Sequence, residues 1–409
     1  MDADRAAIGL IFNPGSASLK FELIETRPRQ ALASDGRKLL SASIEGIGKE
    51  AQLLVFRGRE IACKESCEAP DVFTAAAAAL NWLRRREHDG PAQISEIAFV
   101  GLRVVHGGEH YTRATRSTPA VRRDIEALQE FAPLHNRSSL AVLSLLEGEL
   151  RDVPVLLAFD TAFHRTLPEI AWRYPLDRAT ADRYGVRKFG FHGLSHRWML
   201  EQYARQEGKS GAEVSLITLH LESGCSATAI CKGKSIDTTM GLTPLEGLMM
   251  GTRSGSIDPA IVPILMRKMN ADADQIMHLL NKQSGLLGIA GETFDTRELV
   301  KRDDDSARLA LAMFAYRARL AVGAYLTVVP EAEALIFGGG IGEDTPLVRK
   351  QICDGLRGWG LELDEESNAR ATFGPACITR PNSRLPAFVI PVEEGLQIAH
   401  ECQEAMEAQ

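Results

Sequence analysis

An apolar run at residues 8–12 and an alternating run at 19–24 flank the segment Asn13-Pro-Gly-Ser-Ala-Ser-Leu-Lys20. Two strand-like runs joined through glycine and serine predict a β-hairpin. Its turn presents small hydroxyls and backbone N–H groups on a concave surface, with Lys20 adding a point charge. That composition suits a phosphate, and it equally suits an ordinary tight turn, which draws on the same residue types. A Walker loop is excluded, because the spacing GxxxxGK[ST] is absent and a strand rather than a helix follows.

The same layout recurs in the second half. Residues 214–221 read as a strand, Glu222-Ser-Gly-Cys-Ser226 as a polar glycine turn, and 227–232 as a returning strand with a further turn at Gly233. Between the hairpins, strands are expected at 51–56, 61–64 and 94–105, helices at 72–86, 121–132 and 138–150, and a buried strand at 153–159 ending at Asp160. A long helix at 304–329 leads into a strand at 334–337 that ends in Gly338-Gly-Gly-Ile-Gly342. This order is α/β. The repeat is one of layout, not of letters, and it predicts a duplication around a central cleft, where ligands gather at the carboxyl ends of strands. A length of 409 residues also exceeds what one core usually supports.

Composition narrows the partners. With 45% hydrophobic and 25% charged residues, the disordered and collagenous classes are excluded. The net charge is −7 and the longest basic cluster is Arg84 to Arg86, so no nucleic-acid partner is expected. No apolar run approaching the roughly 20 residues of a membrane span is read, and the acidic start carries no leader pattern, so no membrane partner and a cytoplasmic location are expected. The seven cysteines form an odd, scattered set without histidines at ligand spacing, which favours reduced thiols over zinc.

Residues 237–259, DTTMGLTPLEGLMMGTRSGSIDP, have neither helical nor strand period, and long irregular segments inside compact domains are usually functional. Gly247, Gly251 and Gly255 let backbone approach a ligand, and Arg253 can fork onto a phosphate or carboxylate. A structural loop carrying a surface arginine is the competing account. The segments GLRVVHGG (101–108) and KFGFHGLSH (188–196) each set a cation beside an apolar wall. Arg103, Arg253, His192, Asp160, a phosphate-type hairpin and a glycine-rich strand end together make the parts of a phosphoryl-transfer site.

The strings FNPGSASLKFEL, GLRVVHGG, APLHN, FDTAFHRTLP, FGFHGLSH, MGLTPLEGLMMGTRSGSIDP, SGLLGIAG and FGGGIGED occur in an order that resembles the acetate kinase family, from Ile8 to about His400. The resemblance implies a duplicated ribonuclease-H-like fold of the actin, sugar kinase and Hsp70 type. Its domains are expected at residues 1–160 with 395–409, and at 161–394. It implies a phosphotransferase that moves the terminal phosphoryl group of Mg-ATP to acetate or propionate, and a homodimer. By the same likeness Arg103 clamps the acid's carboxylate, and His192 and Arg253 stabilise the group in transfer. Asn13 and Glu394 hold Mg2+ with Asp160 in the outer shell. Ser16, Ser18 and Lys20 line the phosphate end, with His220 and Gly224 on the second hairpin. Gly340, Ile341 and Asp344 match the adenosine pocket, with Asp295 and Arg297 nearby. Val105, Leu134, Phe191 and Pro244 surround the acid's methyl group. One methylene in such a wall is worth only about 1 to 3 kcal/mol, so acetate and propionate are both admitted.

The chain departs from the family pattern at the donor end. Where the family reads His-Leu-Gly-Asn-Gly, this chain has His220-Leu-Glu-Ser-Gly224, and Asp344 replaces an asparagine. A carboxylate at Glu222 would repel a phosphate by about 1 kcal/mol at ~4 Å in water, and by more in a lower dielectric. These changes open a second expectation: another donor, GTP or pyrophosphate, or a non-catalytic binding or regulatory role.

Overall fold

The computed structural model describes residues 6–15, 17–26, 36–85, 94–371 and 374–408, without the side chains of 133–135. The chain forms two compact units, Met1–Ala162 with Glu393–Gln409, and Phe163–Val392.

The first unit is built on β1 (Ala7–Pro14), β2 (Ser18–Thr26), β3 (Arg37–Glu45), β4 (Gln52–Arg57), β5 (Glu60–Ser66), β6 (Ile97–Val104), β7 (Thr115–Arg116) and β8 (Val155–Phe159). Their order in the sheet is β5-β4-β3-β2-β1-β6-β8-β7. Strands β1 to β5 form an antiparallel meander, and β6 and β8 run parallel to β1. Leu10, Ile11 and Phe12 are buried consecutively because both faces of the sheet are covered. Helices Val72–Arg85 and Pro133–Glu149 pack on one face with Leu10, Phe12, Leu102 and Val104. Helix Glu394–Glu407 covers the other face so closely that a Cβ on Gly101 would stand 2.8 Å from Ile11 and 2.9 Å from Ile398.

The second unit carries β9 (Leu216–Leu221), β10 (Cys225–Cys231), β11 (Lys234–Thr238), β12 (Ala334–Gly338), β13 (Ala376–Cys377) and β14 (Ala387–Val389), ordered β11-β10-β9-β12-β14-β13. Every residue of β9 and β12 is buried. Met199, Leu200 and Tyr203 of helix Gly193–Gln206 pack against Leu216 and Ile336, while helix Asp305–Val328 packs against β9 and β10. The series β3-β2-β1-β6-β8 and β11-β10-β9-β12-β14 share one scheme: a three-stranded antiparallel meander, then two strands parallel to its first. The duplicated layout read from the sequence is therefore a duplicated ribonuclease-H-like topology.

Several element boundaries differ from expectation. Strand β3 was not anticipated, because Ser41, Ala42 and Ser43 have weak strand preference and only the ladder with β2 and β4 recruits them. The third helix begins at Pro133 rather than 138, using proline at its first turn. The second helix is Pro119–Ala127, capped by Thr118, whose side chain accepts from the Val121 N–H. Residues 94–96 form a single 3-10 turn before β6, and the expected helix end at Arg86 lies outside the described residues. Helix Asp305–Val328 is, by length and composition, long and apolar enough to cross a membrane, which corrects the sequence reading. Its Ala307, Ala310, Leu311, Phe314 and Val322 are buried in the second unit.

Candidate active site

In the first unit the parallel strands end side by side: the Asp160 N–H, just past β8, donates to the Val104 carbonyl of β6 at 3.1 Å. This registers Arg103 against Asp160. Arg103 donates Nε to Asp160 Oδ1 at 2.9 Å and Nη2 to Oδ2 at 2.6 Å. Its Nη1 donates to Asn13 Oδ1 at 3.0 Å and to Glu394 Oε2 at 2.8 Å, and Asn13 Nδ2 donates to the same Glu394 oxygen at 2.7 Å. Asn13 comes from β1 and Glu394 opens the last helix, so four elements converge. Asp160 is 1% exposed, and a planar fork is the geometry by which a guanidinium holds a buried carboxylate. Ser139 Oγ adds a bond to the Arg103 carbonyl at 3.0 Å.

To a metal, Asn13, Asp160 and Glu394 offer oxygen donors only, two of the three residues being carboxylates. That donor chemistry fits a hard divalent cation such as Mg2+, which takes one or two carboxylates and keeps waters or phosphate oxygens for the rest. Among the described residues there is no cluster of three or more His, Cys, Asp or Glu able to cage a metal alone.

In the second unit the arrangement differs. His192 adopts φ 57°, a left-handed conformation costly for a residue with a Cβ. The preceding carbonyl, of Phe191, is held by His164 Nε2 at 2.9 Å, and burial pulls the His164 imidazole down to about 4, keeping it neutral. A Cβ placed on Gly224 would stand 3.3 Å from His192 Nε2 and 3.5 Å from Arg253 Nη1, so this glycine lets both side chains approach the hairpin. The irregular loop is fixed there by the Gly251 N–H donating to the Ser223 carbonyl at 3.0 Å. Gly247 and Gly255, at φ 109° and 70°, sit where a Cβ would strike backbone oxygens of Thr239 and Leu248.

Arg253 is half-buried. Its Nη1 donates to the Pro244 carbonyl at 3.1 Å and lies 3.8 Å from Met250 Sδ, and among the described residues no carboxylate pairs with it. Burial lowers its guanidinium from the ordinary value, yet so strong a base stays charged. Lys282 nearby is lowered by its own burial and then by Arg253. The His192 and His220 rings lie 4.4 Å apart, and Glu222 Oε2 is 3.6 Å from His220 Nε2.

The remaining expected residues are divided between the two units. Gly339 (φ 77°) opens a short turn of helix Gly339–Asp344 after β12; a Cβ there would meet the Leu221 carbonyl oxygen at 2.7 Å. The fully buried Arg349 donates to the carbonyls of Gly342 at 2.9 Å and Glu343 at 2.6 Å, fixing the end of that turn, which carries Gly340, Ile341 and the exposed Asp344. Glu222 Cγ lies 3.9 Å from where Gly340 would bear a Cβ. Asp295 caps the next short helix and forks with Arg297 at 2.9 and 2.6 Å, a bond that lowers the Asp295 carboxyl; Arg297 also feels Asp344. In the first hairpin Lys20 pairs with Asn13 across the strands, and the Gly15 N–H donates to the Ser18 carbonyl at 2.8 Å. Ser16 lies outside the described residues, as does the Leu134 side chain. Val105 and Phe191 are buried, and Pro244 is half-buried.

The family profile of the acetokinases matches residues 8–400. The chain belongs to the acetokinase family. It is 40% identical to an acetate kinase of Solibacter usitatus over 400 residues, covering 96% of each chain. The crystal structure of the Porphyromonas gingivalis acetate kinase, 32% identical, superposes with a TM-score of 0.87 over 98% of this chain and all of that one. A propionate kinase from Francisella tularensis, 33% identical, gives the same TM-score over 97% and 98%.

This acetokinase-family chain also holds residues that sequence reasoning passed over. Ser226, His196 and Thr218 hydrogen-bond in series behind His192. The available signal was the run of polar residues at period two within otherwise apolar strands, Thr218 and His220 on β9 and Ser226 and Thr228 on β10. Replacing Arg103 by alanine strands Asp160 and Glu394 without their shared cation, and breaking one side of such a buried pair costs about 3–5 kcal/mol. Urea melts of the variant and parent at pH 7 measure it; parent-like stability in the variant would contradict the assignment.

Proposed function

We propose that this chain transfers the terminal phosphoryl group of ATP to the carboxylate of acetate or propionate, reversibly giving an acyl phosphate and ADP. The observation that carries this reading is Arg253: a half-buried guanidinium without a carboxylate partner among the described residues, sharing Gly224 with His192, in a chain of the acetokinase family. A carboxylic acid with an ordinary dissociation constant is ionised at neutral pH, so its oxygen attacks the γ-phosphorus without a general base. The bond that breaks is the one to the β,γ-bridging oxygen, which leaves with its electron pair on ADP.

Mutual repulsion of two anions is then the main barrier, and fixed donors oriented toward the developing charge lower it. Arg253 supplies the charge and His192 a directed N–H. In the first unit, Asn13 and Glu394 would hold Mg2+, with Asp160 behind them; bound there, the ion would neutralise donor phosphate charge. Arg103 is the proposed clamp of the acid's carboxylate, a role supported by membership of the acetokinase family. Val105, Leu134, Phe191 and Pro244 are the proposed methyl wall.

The altered second hairpin favours a second reading of the donor. Glu222 sets its carboxylate beside His220 and near Gly340, so GTP or pyrophosphate stands as the alternative to ATP. We further propose a homodimer, supported by an exposed apolar stripe of Leu309, Tyr316 and Leu320, spaced seven and four residues apart on helix Asp305–Val328. A cytoplasmic location is supported by seven free cysteines.

Hydroxamate trapping with acetate and propionate, run against ATP, GTP and pyrophosphate, should yield acyl phosphate with at least one donor. Arg253→Ala should lower kcat by about 10³-fold or more, as loss of a transition-state arginine does. Folded protein with no product from any donor would leave only a binding role. The double variant Glu222→Gly/Ser223→Asn should lower the KM for ATP and leave that of the acid unchanged; an unchanged or raised ATP KM removes the electrostatic account of Glu222. By light scattering the protein should have twice its 44.7 kDa chain mass. Leu320→Glu should halve that, and a monomeric parent would refute the dimer.

A further inference from the structure

Behind His192 lies a row of buried polar groups. His192 Nδ1 is 2.9 Å from Ser226 Oγ, His196 Nε2 is 2.8 Å from the same oxygen, and His196 Nδ1 is 2.7 Å from Thr218 Oγ1. Ser226, His196 and Thr218 are each 0% exposed. Burial first, then the neighbouring His164 and His220, hold the His196 imidazole far below its ordinary value, so it is neutral and carries one ring proton.

From the geometry we infer that Thr218, His196 and Ser226 form a one-way hydrogen-bond chain that holds His192 as a neutral imidazole with its proton on Nε2. The direction follows from its closed end. Thr218 Oγ1 has His196 Nδ1 as its one hydrogen-bond partner among the described residues. An interior hydroxyl proton left without an acceptor costs about 1–3 kcal/mol, so Thr218 donates and His196 Nδ1 accepts. A neutral imidazole that accepts at Nδ1 bears its proton on Nε2, so His196 donates to Ser226 Oγ. Ser226 then sends its own proton to the other neighbour, His192 Nδ1. That places the His192 proton on Nε2, the atom beside Gly224 and Arg253.

Both alternatives leave a proton stranded. Reversing the chain orphans the Thr218 hydroxyl. Protonating His192 on both nitrogens sets two N–H groups against the Ser226 oxygen and orphans the Ser226 hydroxyl. Among the groups facing His192 are Arg253, the His220 ring at 4.4 Å and, beyond His220, Glu222. Thr218, His196 and Ser226 are thus positioning residues, which act on the phosphoryl group only through His192.

This inference deepens the role proposed for His192, and its first test does not need turnover. In the full chain labelled with 15N-histidine, long-range 1H–15N ring correlations at neutral pH should show His192 and His196 as neutral Nε2–H tautomers, assigned by difference with His192→Gln. An Nδ1–H tautomer or a doubly protonated ring at His192 overturns the inference. In Thr218→Val, which keeps shape but removes the terminal donor, an Nδ1–H signal should appear at both rings. The variant's kcat should fall several-fold with both KM values unchanged, and Thr218→Ser should restore spectrum and rate together. Ring spectra indifferent to Thr218→Val would break the chain even in an active enzyme, whereas the expected spectra in an inactive one would leave the chain standing and remove the kinase reading.

Discussion

The fork between Arg103 and Asp160 is the interaction on which the first unit's site depends. It joins β6 to β8 at their carboxyl ends, and through Nη1 it also draws in Asn13 of β1 and Glu394 of the final helix. Asp160 is 1% exposed, and a buried carboxylate that loses its cation meets a desolvation penalty of several kcal/mol. Arg253 has no such tether: it rests on a carbonyl and a thioether sulfur. Among the described residues Arg103 meets two carboxylates, and Arg253 pairs with none.

Duplication supplied two sheets that share one five-stranded scheme, and the side chains then diverged at equivalent strand ends. The fourth strand of the shared series ends in Val104 beside Arg103 in one unit and in Gly338 in the other. A long charged side chain near the first end reaches sideways to carboxylates. At the second end glycine keeps the backbone bare, and Gly339 runs close enough to the Leu221 carbonyl that a side chain would not fit. Buried Arg349 serves the second end from behind, turning its five N–H groups toward backbone and amide oxygens that the tight turn leaves over.

Much of this was readable from residue order. The hairpins, the parallel strands and the glycine strand end announced themselves through run length and turn chemistry, and the recurrent motifs carried Arg103, His192 and Arg253 by resemblance. Strand β3 did not, since Ser41, Ala42 and Ser43 become strand only when β2 and β4 offer ladder partners. Nor was the pairing of Arg103 legible: no spacing relates positions 13, 103, 160 and 394 until the sheet order sets four chain ends together. The histidine row was hidden for another reason. His192 and His196 share a helix face, but the serine between them comes from β10, and alternate polar residues in an otherwise apolar strand read as satisfied core hydroxyls until their neighbours are known.

A neutral His192 also makes electrostatic sense of Arg253. A second full cation ~4 Å from a guanidinium would cost about 1 kcal/mol in water and several times more where solvent is thin, and among the described residues no carboxylate pairs with Arg253 to offset it. Dividing the work would avoid that cost. In the proposed transfer Arg253 would contribute charge that no pH near neutrality removes, while His192 would contribute an N–H whose direction is fixed by the chain from Thr218 and whose presence adds no charge. Glu222 bears on a different neighbour: its carboxylate lies 3.6 Å from His220 Nε2, so in the proposed transfer its field would bear on the donor. The departure in the second hairpin would then alter which donor is admitted, with Arg253 and His192 both retained.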